Sequence, residues 1–157
     1  AHAELMRTAG APGNTAYLAP SEAAQRLYTV LMAGLEFDAD QRLGRPMGSF
    51  DRPRPERAEA RRSGRSLRNL ELSLAALRDL AEKLADAPLP GVEAAFDTAQ
   101  AQAQDLQDPV FEGVSDPSGR FRVEIVQQSV RAAQGAVAGE LGAQLGVTAG
   151  FNSADGD

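Results

Sequence analysis

The chain has 157 residues, 43% of them hydrophobic and 24% charged, with a formal net charge of −6 and no cysteine. That is enough chain to bury about two thirds of its unfolded surface, in the composition of a globular rather than a disordered protein. The charge balance weighs against nucleic acid as a partner, because phosphate binding needs a clustered positive excess. The missing cysteines exclude a disulfide framework or thiolate metal site.

The first ten residues, AHAELMRTAG, read as the end of a helix stopped at Gly10, with Pro12 behind it. The expectation is a chain that begins inside an element, as a fragment or processed product. No secretory signal is visible, and no apolar run reaches bilayer length. A loop follows, which Asn14-Thr15 and Tyr17-Leu18 are expected to pin. Pro20-Ser21-Glu22 opens an amphipathic helix from about residue 20 to 43, with Ser21 as its expected cap and Ala24, Leu27, Leu31 and Leu35 as its stripe. Gly34 interrupts it at some cost to helix propensity.

The segment from Arg42 to Asn69 stands apart. It holds nine of the chain's fifteen arginines against Asp51, Glu56 and Glu59, so it carries +6 while the remainder carries −12. Three prolines and three glycines make it a long irregular connection, the kind that is usually functional or disordered. The acids just before it, Glu36, Asp38 and Asp40, oppose the macrodipole at a helix C-terminus. The strap's arginines are expected to neutralise them together with Glu59, on a solvated charged face.

A long helix then starts with Ser63 or Ser66 as cap, on the stripe Leu67, Leu70, Leu74, Leu77, Ala81 and Leu84, and is broken at Ala87–Gly91. A shorter helix carries Val92, Ala95, Phe96, Ala99, Ala103 and Leu106. Asp116-Pro117-Ser118-Gly119 signals a turn. The last helix, from about Arg120 to Leu145, has a bulky stripe (Val126, Val130, Ala133, Val137, Leu141). It also has a small one (Ala132, Gly135, Ala136, Gly139, Gly142, Gly146), expected to admit another backbone. The tail AGFNSADGD reads as an acidic loop. These elements predict an all-α, up-and-down bundle of about four main helices with a long Arg-rich connection.

Chemistry is sparse. His2 is the only histidine and lies at the frayed start, which excludes histidine metal sites and Ser-His-Asp triads. No phosphate-binding glycine loop is present. Glu36, Asp38, Asp40 and Glu59 form a carboxylate set for a hard cation, in no calcium-loop spacing. Arg42, Arg45, Arg61, Arg62 and Arg65 form an equally open anion-binding set.

The run GLEFDADQRLGRPMGSFDRPRPERAEARRSGRSLRNLELSLAAL, together with GFNSADGD, resembles the C-terminal half of imelysin-like proteins. In that pattern Gly34, Glu36 and Arg42 correspond to a helix end, and Glu59, Ser63, Ser66 and Asn69 to the acidic residue and serine-containing loop that open the next helix. The resemblance implies a bacterial envelope protein, periplasmic or outer-envelope associated and often a lipoprotein, linked to iron uptake and historically called an insulin-cleaving peptidase. It also implies two related helical bundles with a site at their junction. This chain would then be the second half, a single bundle over residues 1–157, with Glu36, Arg42, Glu59, Ser63, Ser66 and Asn69 as ligand-binding residues.

The implied partners are a missing N-terminal half or another bundle, and a membrane surface reached through an N-terminal lipid anchor; nucleic acid is not among them. Iron is the metal the resemblance suggests. The family's Gly-x-His-x-x-Glu motif is absent from this sequence, so no catalytic residue is assigned. Metallopeptidase membership and a purely structural interaction bundle are the other readings.

Overall fold

The computed structural model describes residues 2–147. The tail expected to be an acidic loop lies outside that range, as does the side chain of His2. A short helix α1 (His2–Arg7) is followed by α2 (Pro20–Phe37), which runs unbroken into a π-helical stretch (Asp38–Gly44) and a last turn, α3 (Arg45–Met47). After the strap come α4 (Ser66–Leu84), α5 (Pro90–Leu106) and α6 (Pro117–Ala136); α6 continues through a second π-helical stretch (Val137–Leu141) into α7 (Gly142–Gln144). The described residues contain no strand beyond an isolated bridge between Ser49 and Arg52. The Val123–Val126 segment, the best strand candidate by composition, is helical.

The stripes meet in one core. Leu31, Leu35, Leu43, Leu70, Leu74, Phe96, Val123, Val126 and Leu141 are among its fully enclosed side chains. Burial of this apolar surface, at about 25 cal/mol per Å2, is what holds the four long helices together. Gly34 earns its place here: a Cβ on it would lie 2.6 Å from Leu77 Cδ2, so α2 and α4 cross closely where the glycine leaves room. The expected small-residue face behaves otherwise. Cβ atoms on Gly135 and Gly139 would meet nothing within 4 Å, while Gly142 alone is packed, against Tyr28 and the Val147 carbonyl. Among the described residues no backbone lies on the Gly135–Gly139 stretch.

Helix ends are capped by other means than the serines suggest. At α2 the N-cap is Ala19 with no side-chain cap; instead the Glu22 carboxylate accepts from Leu18 N at 2.7 Å. At α4 the N-cap is Arg65, again without a side-chain cap. Asp116 does cap α6, accepting from Ser118 N at 3.0 Å and Gly119 N at 3.1 Å. Asn14 pins its loop as expected, donating to Leu5 O at 2.6 Å and accepting from Ala16 N and Tyr17 N.

The cap of α5 comes from across the bundle. Glu140, inside the second π-helical stretch, accepts from Gly91 N at 3.0 Å and Val92 N at 3.2 Å. A carboxylate on a helix N-terminus satisfies orphan donors and matches the macrodipole. Glu140→Ala is therefore expected to cost about 0.5–2 kcal/mol of stability, the range of a lost N-cap. A urea midpoint equal to wild type would show that solvent caps α5 as well. Beside it Gln144 accepts from Asp86 N and Ala87 N and donates to Ala87 O, closing the α4–α5 turn.

Candidate functional site

The strap crosses one end of the bundle, where α2 and α5 finish and α4 and α6 begin. Its backbone is built from short turns: a 3-10 turn at Pro55–Arg57, a second at Arg61–Ser63, and left-handed residues at Ala60 and Gly64. Ala58 is buried beneath it, and Arg54 N donates to Pro46 O at 2.8 Å. Leu67 N, in the first turn of α4, donates to Pro109 O at 3.1 Å. The connection is thus ordered, and tied to three helices.

Its charge centre is Asp38. Opening the π-helical stretch that continues α2, the residue falls three after Leu35 and seven after Leu31, on the same face as that stripe. The helix therefore carries its side chain inward, and the carboxylate is fully buried. Arg42, one turn on, donates from Nη1 to Asp38 Oδ1 and from Nε to Glu59 Oε2 at 2.6 Å. Its guanidinium carbon stands 5.0 Å from the centroid of the Phe37 ring, within cation–π range. The Asp38 Oδ2 atom is buried without a hydrogen-bond partner among the described residues.

These surroundings pull the two partners' acidities in recognisable ways. Burial pushes the Asp38 carboxyl above its ordinary range; the Arg42 hydrogen bond opposes this, and the Ser73 hydroxyl does so without completing a hydrogen bond to Oδ2. For Arg42, burial acts to lower the pKa, but Glu59 and Asp38 outweigh it and hold the guanidinium above its usual value. The arginine gains from the pair. The fully enclosed aspartate bears the desolvation, as expected when two charges leave water unequally.

The π-helical geometry around Asp38 has its own support. Widening the turn frees carbonyls from the regular helical ladder, and Gln127 of α6 donates Nε2 to Ala39 O at 2.8 Å. Gln134 of α6 also donates to Met32 O, within α2 itself, at 3.4 Å. Glutamines that merely looked polar in the sequence bind the backbone of α2.

Of the six residues expected at the site, the structure brings three together. Arg42 and Glu59 are ion-paired, and Ser66 is 1% exposed, donating Oγ to the Glu59 carbonyl at 2.6 Å. Ser66 thus anchors the strap to α4 rather than capping the helix. Ser63 donates to Ala60 O at 2.9 Å, a contact inside its own turn. Asn69 is half-buried on α4, and Glu36 is exposed on α2, two residues and roughly 200° of helical rotation away from Asp38. Asp38 is expected from the sequence among the acids the strap neutralises, but on a solvated face, whereas it is fully buried; Phe37 is not singled out there. The signal for Asp38 was present, since an acid continuing a leucine stripe is not on a solvated face.

The strap's other arginines neutralise less than expected. Asp40 pairs with Arg131 of α6 at 2.9 Å, and Arg61 reaches Glu112. Arg54 and Arg68 take local partners, Glu56 and Glu71. Arg45, Arg52, Arg57, Arg62 and Arg65 are exposed and make no ion pair among the described residues. At the far end, an open cleft of about 500 Å3 is lined by Pro20, Gln25, Leu84, Asp86 and Gln144 among others.

An all-α bundle closed at one end by an ordered basic strap over a buried Asp–Arg pair is the class these observations define. The family model described as Peptidase M75, imelysin, matches residues 1–137, and the chain belongs to the imelysin family. The match stops before GFNSADGD, so membership stands without that tail. No curated protein and no solved structure matches the chain. No helix among the described residues is long and apolar enough to cross a membrane.

Proposed function

We propose that this chain forms one wall of a binding site at a junction between helical bundles, in an envelope protein of iron uptake. It takes a metal complex or a partner there and is not catalytic by itself. The observation that carries this reading is Arg42, which ties the fully buried Asp38 to the half-exposed Glu59. A buried charge pair with one open side is a costly arrangement for structure alone. The other wall belongs to a second bundle, either the N-terminal half of the same protein or a separate body. Attachment to the envelope through an N-terminal lipid anchor fits the same reading.

The residues present do not suit a bare iron ion. Asp38 and Glu59, the carboxylates nearest each other, already share a guanidinium. No group of three or more His, Asp or Glu among the described residues is arranged to hold a metal. A metal complex whose charge is carried by its chelator suits Arg42 better than the naked cation does.

The purified chain is accordingly expected to leave insulin and casein intact. In calorimetry it is expected to bind ferrous iron weakly or not at all and to give heat with ferric citrate. Tight binding of iron alone would overturn the ligand assignment. Proteolysis that disappears in Glu36→Gln or Glu59→Gln would instead restore the peptidase reading.

A further inference from the structure

We propose that Glu59 is an internal stand-in for the carboxylate of a small-molecule ligand, and that Arg42 is the receptor it occupies. The inference deepens the site proposed above and rests on it for the place, while adding the chemistry of the ligand.

The guanidinium is fixed from two directions. Nη1 is held by Asp38, which is fully enclosed and cannot follow a ligand outward, and the guanidinium carbon stands over the Phe37 ring, 5.0 Å from its centroid. What is left is the Nε–Nη2 edge, the fork that matches two carboxylate oxygens. Glu59 engages only Nε, at 2.6 Å. Nη2 has no hydrogen-bond partner among the described residues and is not among the buried unsatisfied atoms. Half of the recognition edge is unused.

Glu59 is also built to leave. Its side chain is 44% exposed, so its carboxylate returns to water without crossing the core. Its backbone stays where it is, because Ser66 Oγ holds the Glu59 carbonyl. Only the side chain has to swing. An incoming carboxylate that takes both Nε and Nη2 makes two charge-assisted bonds where Glu59 makes one. Asp38 beside the edge disfavours a second negative charge on the same group, which selects a carboxylate over a phosphate dianion.

The test uses the whole chain with citrate, inorganic phosphate and ferrous iron as separate probes in calorimetry. Glu59→Gln keeps the shape and removes the competing charge, and it is expected to bind citrate about tenfold tighter than wild type. Arg42→Lys, which keeps the charge without the fork, is expected to lose that gain. Equal citrate affinity in wild type and Glu59→Gln overturns the proposal, as does Arg42→Lys binding citrate as tightly as Glu59→Gln. Phosphate binding as well as citrate overturns the carboxylate assignment.

If Arg42→Lys does not fold, the Arg42 Nε–H resonance of wild type and Glu59→Gln serves instead. It must move on citrate addition, and a static resonance overturns the idea. Citrate binding without ferric citrate binding would leave this inference standing and sink the iron-complex reading.

Discussion

Arg42→Ala is expected to lower the unfolding free energy by about 3–5 kcal/mol, the cost of stranding a buried charge by removing its partner. Asp38 is fully enclosed while Arg42 covers it, so truncating Arg42 leaves its charge without the cation it is paired with. Asp38→Asn should cost less, because it removes the charge that needs compensation and leaves Arg42 paired with the half-exposed Glu59. The order of the two variants in urea denaturation is the check; an Arg42→Ala chain as stable as Asp38→Asn would mean that Asp38 is solvated.

The same pair gives a pH dependence with a definite sign. Burial raises the folded-state pKa of Asp38 above its ordinary 3.8. Between that value and the raised one, the folded protein keeps a proton that the unfolded chain has lost. The contribution is fully present below 3.8 and is lost as pH rises through the folded-state value. The stability of wild type relative to Asp38→Asn should therefore fall as pH climbs through that window and level off above it. A relative stability that grows with pH would show the Arg42 pair prevailing over burial.

The second large effect is expected at Phe111. Its ring is fully buried, and deleting such a ring costs about 3–5 kcal/mol. Yet its backbone is left-handed, with φ of 58°, immediately before the 3-10 turn Glu112–Ser115. A non-glycine residue is strained there by roughly 1–2 kcal/mol. Phe111→Gly should then be no less stable than Phe111→Ala, although both lose the ring. At Phe96, buried inside α5, the order reverses, since glycine within a helix costs about 1 kcal/mol more than alanine. Thermal melts of the four variants decide it. Glycine falling below alanine at both sites would remove the claim of backbone strain.

The four long helices were legible because each keeps an apolar face in register over several turns. Leu70, Leu74, Leu77 and Ala81 lie where their spacing puts them, while the expected breaks at Ala87–Gly91 and Asp116–Gly119 run into helix starts, with Pro90 opening α5 and Asp116-Pro117 opening α6. The π-helical stretches were not legible. In the first of them the Ala39 carbonyl is taken by Gln127 of α6, a tertiary partner that no local pattern reveals.

The site was half legible. Arg42, Glu59 and Ser66 came from the family resemblance, but the reason they matter is Asp38, whose charge suggested solvent while its phase pointed to the core. The caps failed for a related reason. Serines at α2 and α4 satisfy a local rule, but Ser66 Oγ is drawn to the Glu59 carbonyl while the Leu67 N–H of α4 goes to Pro109 O, and at α2 Glu22 folds back onto Leu18 N. The glycines of the last helix matched a packing motif, yet a motif cannot say whether anything in the chain packs there.

The strap also changes how the molecule's charge should be read. Arg45, Arg52, Arg57, Arg62 and Arg65, without ion pairs among the described residues, gather at the end it closes, whereas the exposed Asp86 and Glu93, likewise without ion pairs among those residues, lie toward the other, where α4 turns into α5. Helix α6, with 20 residues, is roughly 30 Å long. Screening at physiological salt acts over about 8 Å. Each end is therefore electrically out of sight of the other, and a neighbour meets either a basic cap or an acidic one. The net charge of −6 describes neither.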